Sequence, residues 1–110
     1  MTDRVLITGA SGLLGSMLGI RLTNIGTNVL GVRRSNPLPL PFENVTLDLL
    51  NKEAVSKLLK EFSPTVIVHA AALSKVIDCE NEPDIAYRQN VVVTENLLSA
   101  ATDSCEQLVF

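Results

Sequence analysis

A chain of 110 residues has room for one domain. Apolar residues make up 46% of it, but aromatics only 4% and Trp none, so its core must be aliphatic. Such a core suits parallel strands covered on both faces. A formal charge of −3 speaks against nucleic acid or anionic membrane as a partner, and no apolar run is long enough to cross a bilayer.

Residues 5–7, Val-Leu-Ile, form an apolar run that ends at Thr8-Gly9 and predicts a buried strand. Over 12–25 the period becomes helical, and Leu14, Met17, Leu18, Leu22 and Ile25 fall on one predicted apolar face. Gly26 follows as the residue that closes this helix in the left-handed conformation. Residues 28–32 predict a second strand. The stretch 33–43 carries Pro37, Pro39 and Pro41 at alternate positions. Each removes a donor and fixes φ, so an extended surface loop is expected.

A short third strand at 45–47 leads to Asp48. Asn51 then predicts the N-cap of a helix whose apolar stripe is Val55, Leu58, Leu59 and Phe62. Beyond Pro64, residues 65–69 predict a fourth strand and 70–82 a loop. Residues 83–101 predict a helix opened by Pro83, and 107–110 a fifth strand.

This alternation predicts an α/β fold, a doubly wound parallel sheet of strand order 3-2-1-4-5. Residues 1–110 are expected to form one nucleotide-binding domain of this Rossmann type, truncated after the fifth strand. The N-terminus runs straight into a strand, so no secretory leader is expected. Cys79 and Cys105 lack a metal or redox spacing, which predicts reduced thiols, no metal site and a cytoplasmic protein.

Thr8-Gly9-Ala10-Ser11-Gly12-Leu13-Leu14-Gly15 sits where the first strand becomes the first helix. Gly9 is suited to the tight turn, Gly12 to close approach of a pyrophosphate, and Gly15 to close packing of helix on strand. The helix N-terminus presents free N–H groups to phosphates. Gly9, Ser11, Gly12, Leu13, Leu14 and Gly15 are therefore candidate cofactor contacts.

About 20 residues further on, where an NAD site carries Asp or Glu for the ribose, the second strand ends in Arg33-Arg34. Two guanidinium forks suit a 2′-phosphate, and NADP(H) is the expected cofactor. The plainer alternative is a pair of solvated arginines ahead of the loop.

The Thr-Gly-x-x-Gly-x-x-Gly turn resembles that of the extended short-chain dehydrogenase/reductase family. Three further segments share the resemblance: Asp48-Leu49, His69-Ala70-Ala71-Ala72, and Pro83…Ala86-Tyr87…Asn90-Val91. It implies that Asp48 and Leu49 meet the adenine end, that Ala70, Ala71 and Ala72 pass close to the cofactor, and that Asn90 lies near its middle. For Asp48 the alternative is a turn or capping residue. His69 reads as a structural hydrogen-bonder and not as a catalyst.

Within the family, the cadence of 63–90 is most similar to that of the dTDP-4-dehydrorhamnose reductases. The non-catalytic β subunits of methionine adenosyltransferase share much of it. One departure is Val91-Val92-Val93-Thr94, where the family commonly has Asn-Val-x-Gly-Thr.

Hydride transfer in that family uses a Tyr-x-x-x-Lys pair with a Ser or Thr. The one tyrosine here is Tyr87, and position 91 is Val, so no catalytic residue is assigned. The resemblance implies the NADP(H)-binding part of a reductase acting on a nucleotide-activated 4-keto sugar, or a non-catalytic regulatory relative. An open fifth strand and uncovered apolar helix faces would make the chain self-associate.

Overall fold

Val5, Leu6 and Ile7 are all buried, so the first strand is covered on both faces and lies inside the sheet. The computed structural model describes residues 3–34, 39–70, 83–101 and 107–109; side chains are described throughout except those of 83–90 and Leu108. In chain order the elements are β1 (Arg4–Thr8), α1 (Leu13–Asn24), β2 (Asn28–Arg33), β3 (Asn44–Thr46), α2 (Lys52–Phe62), β4 (Val66–His69), α3 (Pro83–Ala100) and β5 (Gln107–Val109). The strands form one sheet in the order β3-β2-β1-β4-β5, every pair parallel. This is the doubly wound order expected of the alternating pattern.

Strand alternation sorts the core into two layers. Leu6, Leu30, Val32 and Ile67 point to one face and meet Val55 and Leu59 of α2 and Val93 and Leu97 of α3. A fully buried leucine such as Leu59 contributes roughly 2 kcal/mol by leaving water. Val5, Ile7 and Val29 point to the other face, where Leu18 and Leu22 of α1 pack together with Phe42. Val93 stands where the related family commonly has glycine, and its side chain fills the layer between the sheet and α3.

The helix ends follow their local chemistry. Asn51 accepts from the Ala54 N–H at 3.2 Å and caps α2 as its side chain predicts. Gly26 takes φ +86 beyond α1. The Gly26 N–H donates to Thr23 O and the Thr27 N–H to Leu22 O, each at 3.0 Å, the paired bonds that close a helix on a left-handed residue.

Two expectations are corrected. The predicted apolar stripe of α1 is not the face it buries: Leu14 and Met17 are each 54% exposed and Ile25 77%, while Gly15 and Gly19 are buried. The helix lies close to its neighbours along a glycine face, and only Leu18 and Leu22 of the stripe reach the core. The stretch 33–43 is not all surface loop either. Arg33 is the last residue of β2, and Phe42 is buried beneath α1. Among the described residues, Phe42 brings an aromatic ring into this layer, and Phe62 packs partly buried against the other.

Among the described residues, no helix is long and apolar enough to cross a membrane. None of them cluster as three or more potential metal ligands.

Candidate functional site

Register brings three strand ends together. Thr8 pairs with Val32 on one side and with His69 on the other. Gly9, Arg33 and Ala70, the residues that follow each, therefore emerge side by side at the carboxyl edge of the sheet. Between β1 and β4 the strand order reverses direction, and such a point opens a crevice for ligands.

The glycine turn is built across this edge. Gly9 has φ +68, a conformation side chains disfavour. Its carbonyl accepts from the Gly12 N–H at 3.0 Å and closes the turn. Gly12 is the N-cap of α1 and offers no side-chain cap, which leaves the first-turn N–H groups facing outward from the helix end. A Cβ on Gly15 would overlap the carbonyl oxygen of Gly9. So Gly15 permits close packing of the helix on the turn itself, one step short of the strand that the sequence suggested. Ala10 is fully buried and its N–H donates to Val32 O at 3.1 Å, tying the turn to the end of β2. Ser11 and Gly12 are half-buried, whereas Leu13 and Leu14 are exposed over the turn.

The arginines differ. Arg34 is exposed. Arg33 is half-buried, and its Nε donates to Asn44 Oδ1 at 2.7 Å. Asn44 in turn donates from Nδ2 to the Phe42 carbonyl at 2.9 Å.

Asp48 accepts from the Leu50 N–H at 3.0 Å through Oδ1, and its carbonyl accepts from the Asn51 N–H at 2.9 Å. The carboxylate thus shapes the turn into α2, the plainer of its two readings. Leu49 packs against the core, and its carbonyl accepts from Asn96 Nδ2 of α3 at 2.9 Å. His69 is buried with Nδ1 2.6 Å from Thr8 Oγ1, a hydrogen bond inside the sheet that fits a structural role. Ala70 is buried at the strand end. Ala71, Ala72, Cys79 and Cys105 lie outside the described residues, and the Asn90 and Tyr87 side chains lie outside the described side chains.

Two residues of this region escaped the sequence reading. Asn44 heads a three-residue strand and looks like a turn residue after Phe42-Glu43. Asn96 was detectable: it is a helical asparagine spaced with Val93, Leu97 and Ala100 on the face that α3 buries.

Known proteins share this arrangement. The model of the NAD dependent epimerase/dehydratase family matches residues 5–110. The mouse methionine adenosyltransferase 2 subunit beta is 43% identical over 100 residues, covering 89% of this chain and 28% of that protein. The dTDP-4-dehydrorhamnose reductase of Aggregatibacter actinomycetemcomitans is 39% identical over 98 residues, covering 89% of this chain and 30% of that protein. Among solved structures, the Thermus thermophilus UDP-glucose 4-epimerase in complex with NAD superposes with a TM-score of 0.84 at 31% identity, over 97% of this chain and 36% of its own. The chain thus spans less than a third of the length of these curated relatives. With the family model matching nearly its full length, and with the family's parallel sheet and glycine turn in place, the chain belongs to the NAD-dependent epimerase/dehydratase family.

Proposed function

We propose that residues 1–110 form the NADP(H)-binding domain of a reductase similar to dTDP-4-dehydrorhamnose reductase, acting on a nucleotide-activated 4-keto sugar. The observation that carries the cofactor reading is the end of β2. Arg33 stands beside the glycine turn, joined to it through the Ala10–Val32 hydrogen bond, where an NAD site would hold a carboxylate. The turn fits a dinucleotide: Gly15 leaves no room for a side chain against Gly9, and the uncapped start of α1 suits a pyrophosphate. Gly9, Ser11, Gly12, Leu13, Leu14 and Gly15 would line the phosphates, Arg33 and Arg34 the 2′-phosphate, and Asp48 and Leu49 the adenine. Ala70, Ala71, Ala72 and Asn90 would lie along the nicotinamide half. The bound cofactor would supply the hydride; the chain's own residues bind and orient it.

A second reading has its own support. The methionine adenosyltransferase subunit beta relatives reach 43% identity, above the 39% of the reductase. On that reading the same site holds NADP(H) in a regulatory protein that transfers no hydride.

The cofactor is tested by titrating the chain with NADPH and with NADH, calorimetrically or by cofactor fluorescence. Tighter NADPH binding, lost in Arg33→Ala/Arg34→Ala, is expected; equal binding of the two would refute the 2′-phosphate reading. Oxidation of NADPH by the full-length protein with dTDP-4-dehydrorhamnose separates enzyme from regulatory subunit. No turnover by a protein that binds NADPH would favour the second.

A further inference from the structure

We propose that Asn44 is a positioning residue that sets the cofactor preference by holding Arg33 in place for the 2′-phosphate. The inference rests on the reading that Arg33 faces that phosphate. Gly31, Arg33, Asn44 and Thr46 share one face of the sheet, because Gly31 pairs with Asn44 and Arg33 with Thr46. The Arg33 side chain leans back along β2 to place Nε 2.7 Å from Asn44 Oδ1. Gly31 keeps this face open, since a Cβ there would come within 2.8 Å of the Phe42 ring and 3.4 Å of the Asn44 Cβ.

Asn44 is itself held. Its Nδ2 donates to the Phe42 carbonyl, so the amide oxygen faces Arg33 and the amide nitrogen does not. Phe42 is anchored in the core beneath α1, and the Glu43 carbonyl accepts from the Gly31 N–H at 2.8 Å. Arg33 Nε is thereby committed to a fixed acceptor, which orients the plane of the guanidinium before any ligand arrives. An arginine fixed in advance loses less rotamer entropy on binding an anion, and that saving appears as affinity for the 2′-phosphate. The saving does not extend to NADH, which lacks the group. Asn44 never touches the cofactor in this scheme; it acts through Arg33.

The test is a double-mutant cycle on the whole chain, reading the ratio of NADPH to NADH affinity, with 2′,5′-ADP and ADP as smaller probes. Asn44→Ala is expected to lower NADPH affinity roughly 5- to 10-fold, the scale of immobilising one long side chain, with NADH changed less than about 2-fold. In an Arg33→Ala background the same substitution should leave the ratio unchanged, because the residue it acts through is gone. An intact ratio in Asn44→Ala, with the ratio collapsed in Arg33→Ala, overturns the positioning role and spares the cofactor reading. Equal weakening of both dinucleotides assigns Asn44 a purely structural part and also overturns it. A wild-type chain without NADPH preference removes the underlying reading itself.

Should Asn44→Ala fail to fold, Asn44→Leu serves in its place. It keeps the bulk of the side chain and adds no charge but removes the acceptor for Arg33 Nε, so the ratio should fall while NADH affinity holds; an unchanged ratio counts against the proposal.

Discussion

The ring of Phe42 fills the space that a side chain on Gly19 would need. A Cβ built on Gly19 comes within 3.0 Å of Phe42 Cε2 and closer still to the rest of the ring edge. Gly31 of β2 lies close to the same ring, which leaves it less room to move aside. Gly19→Ala should therefore destabilise the chain despite alanine's better helix propensity. Overpacking costs about 1–3 kcal/mol, against about 1 kcal/mol gained in the helix. Urea unfolding should show the loss, and in a Phe42→Leu background the same substitution should become neutral or stabilising.

Gly26 offers the opposite case. Nothing lies within 4 Å of a Cβ built there, yet its φ is +86. Gly26→Ala should cost about 1–2 kcal/mol through backbone conformation alone, and Gly26→Asn less, since asparagine tolerates the left-handed region. Equal unfolding midpoints for all three residues would contradict the conformational account.

The order of the elements was legible because each one carries its own period. Val5-Leu6-Ile7 and the Val55–Leu58–Leu59–Phe62 stripe differ in spacing, and that difference separates strand from helix. The glycine turn was legible because Gly9, Gly12 and Gly15 fall where strand passes into helix. What escaped depends on partners distant in sequence. Apolar residues on α1 nominated a face, but Phe42 decided which face is buried, by packing its ring on Gly19 from a position well beyond the end of the helix. Arg33 was legible as a charge at a strand end. Its restraint by Asn44 depends on how β2 pairs with β3, which no local pattern encodes.

Asn96 ties α3 to the turn after β3. It is buried, and its amide supplies the hydrogen bond to Leu49 O. Asn96→Ala should cost about 1–3 kcal/mol, the range for leaving a buried polar group without its partner. Asn96→Asp preserves shape but an ionised carboxylate cannot donate to a carbonyl, so it should destabilise at least as much. If thermal unfolding placed Asn96→Asp level with the wild type, the bond would not contribute to stability.

Gly15→Ala bears on the site as a whole. The methyl group would press on the Gly9 carbonyl, which also closes the turn through Gly12. NADPH and NADH should both lose affinity, by about 5-fold or more if the distortion costs the 1–3 kcal/mol typical of overpacking. Arg33→Ala should weaken NADPH alone. Calorimetry on both variants separates damage to the phosphate cradle from loss of 2′-phosphate recognition, and a cofactor-selective effect of Gly15→Ala would contradict this division.

Leu13, Met17 and Ile20 lie at helical i, i+4 and i+7 positions of α1 and are all exposed, as is Val109 on β5. Among the described strands β5 pairs only with β4, so its outer edge is open for further pairing. Contiguous apolar surface and an open edge both favour contact between copies, and the chain should self-associate at tens of micromolar. Light scattering after gel filtration reads this directly. Ile20→Lys combined with Met17→Lys should shift the distribution toward monomer, because each buried lysine would have to give up water without a partner. A monodisperse wild-type monomer at that concentration would mean that the exposed stripe is too small or too dispersed to drive association, and the expectation would be withdrawn.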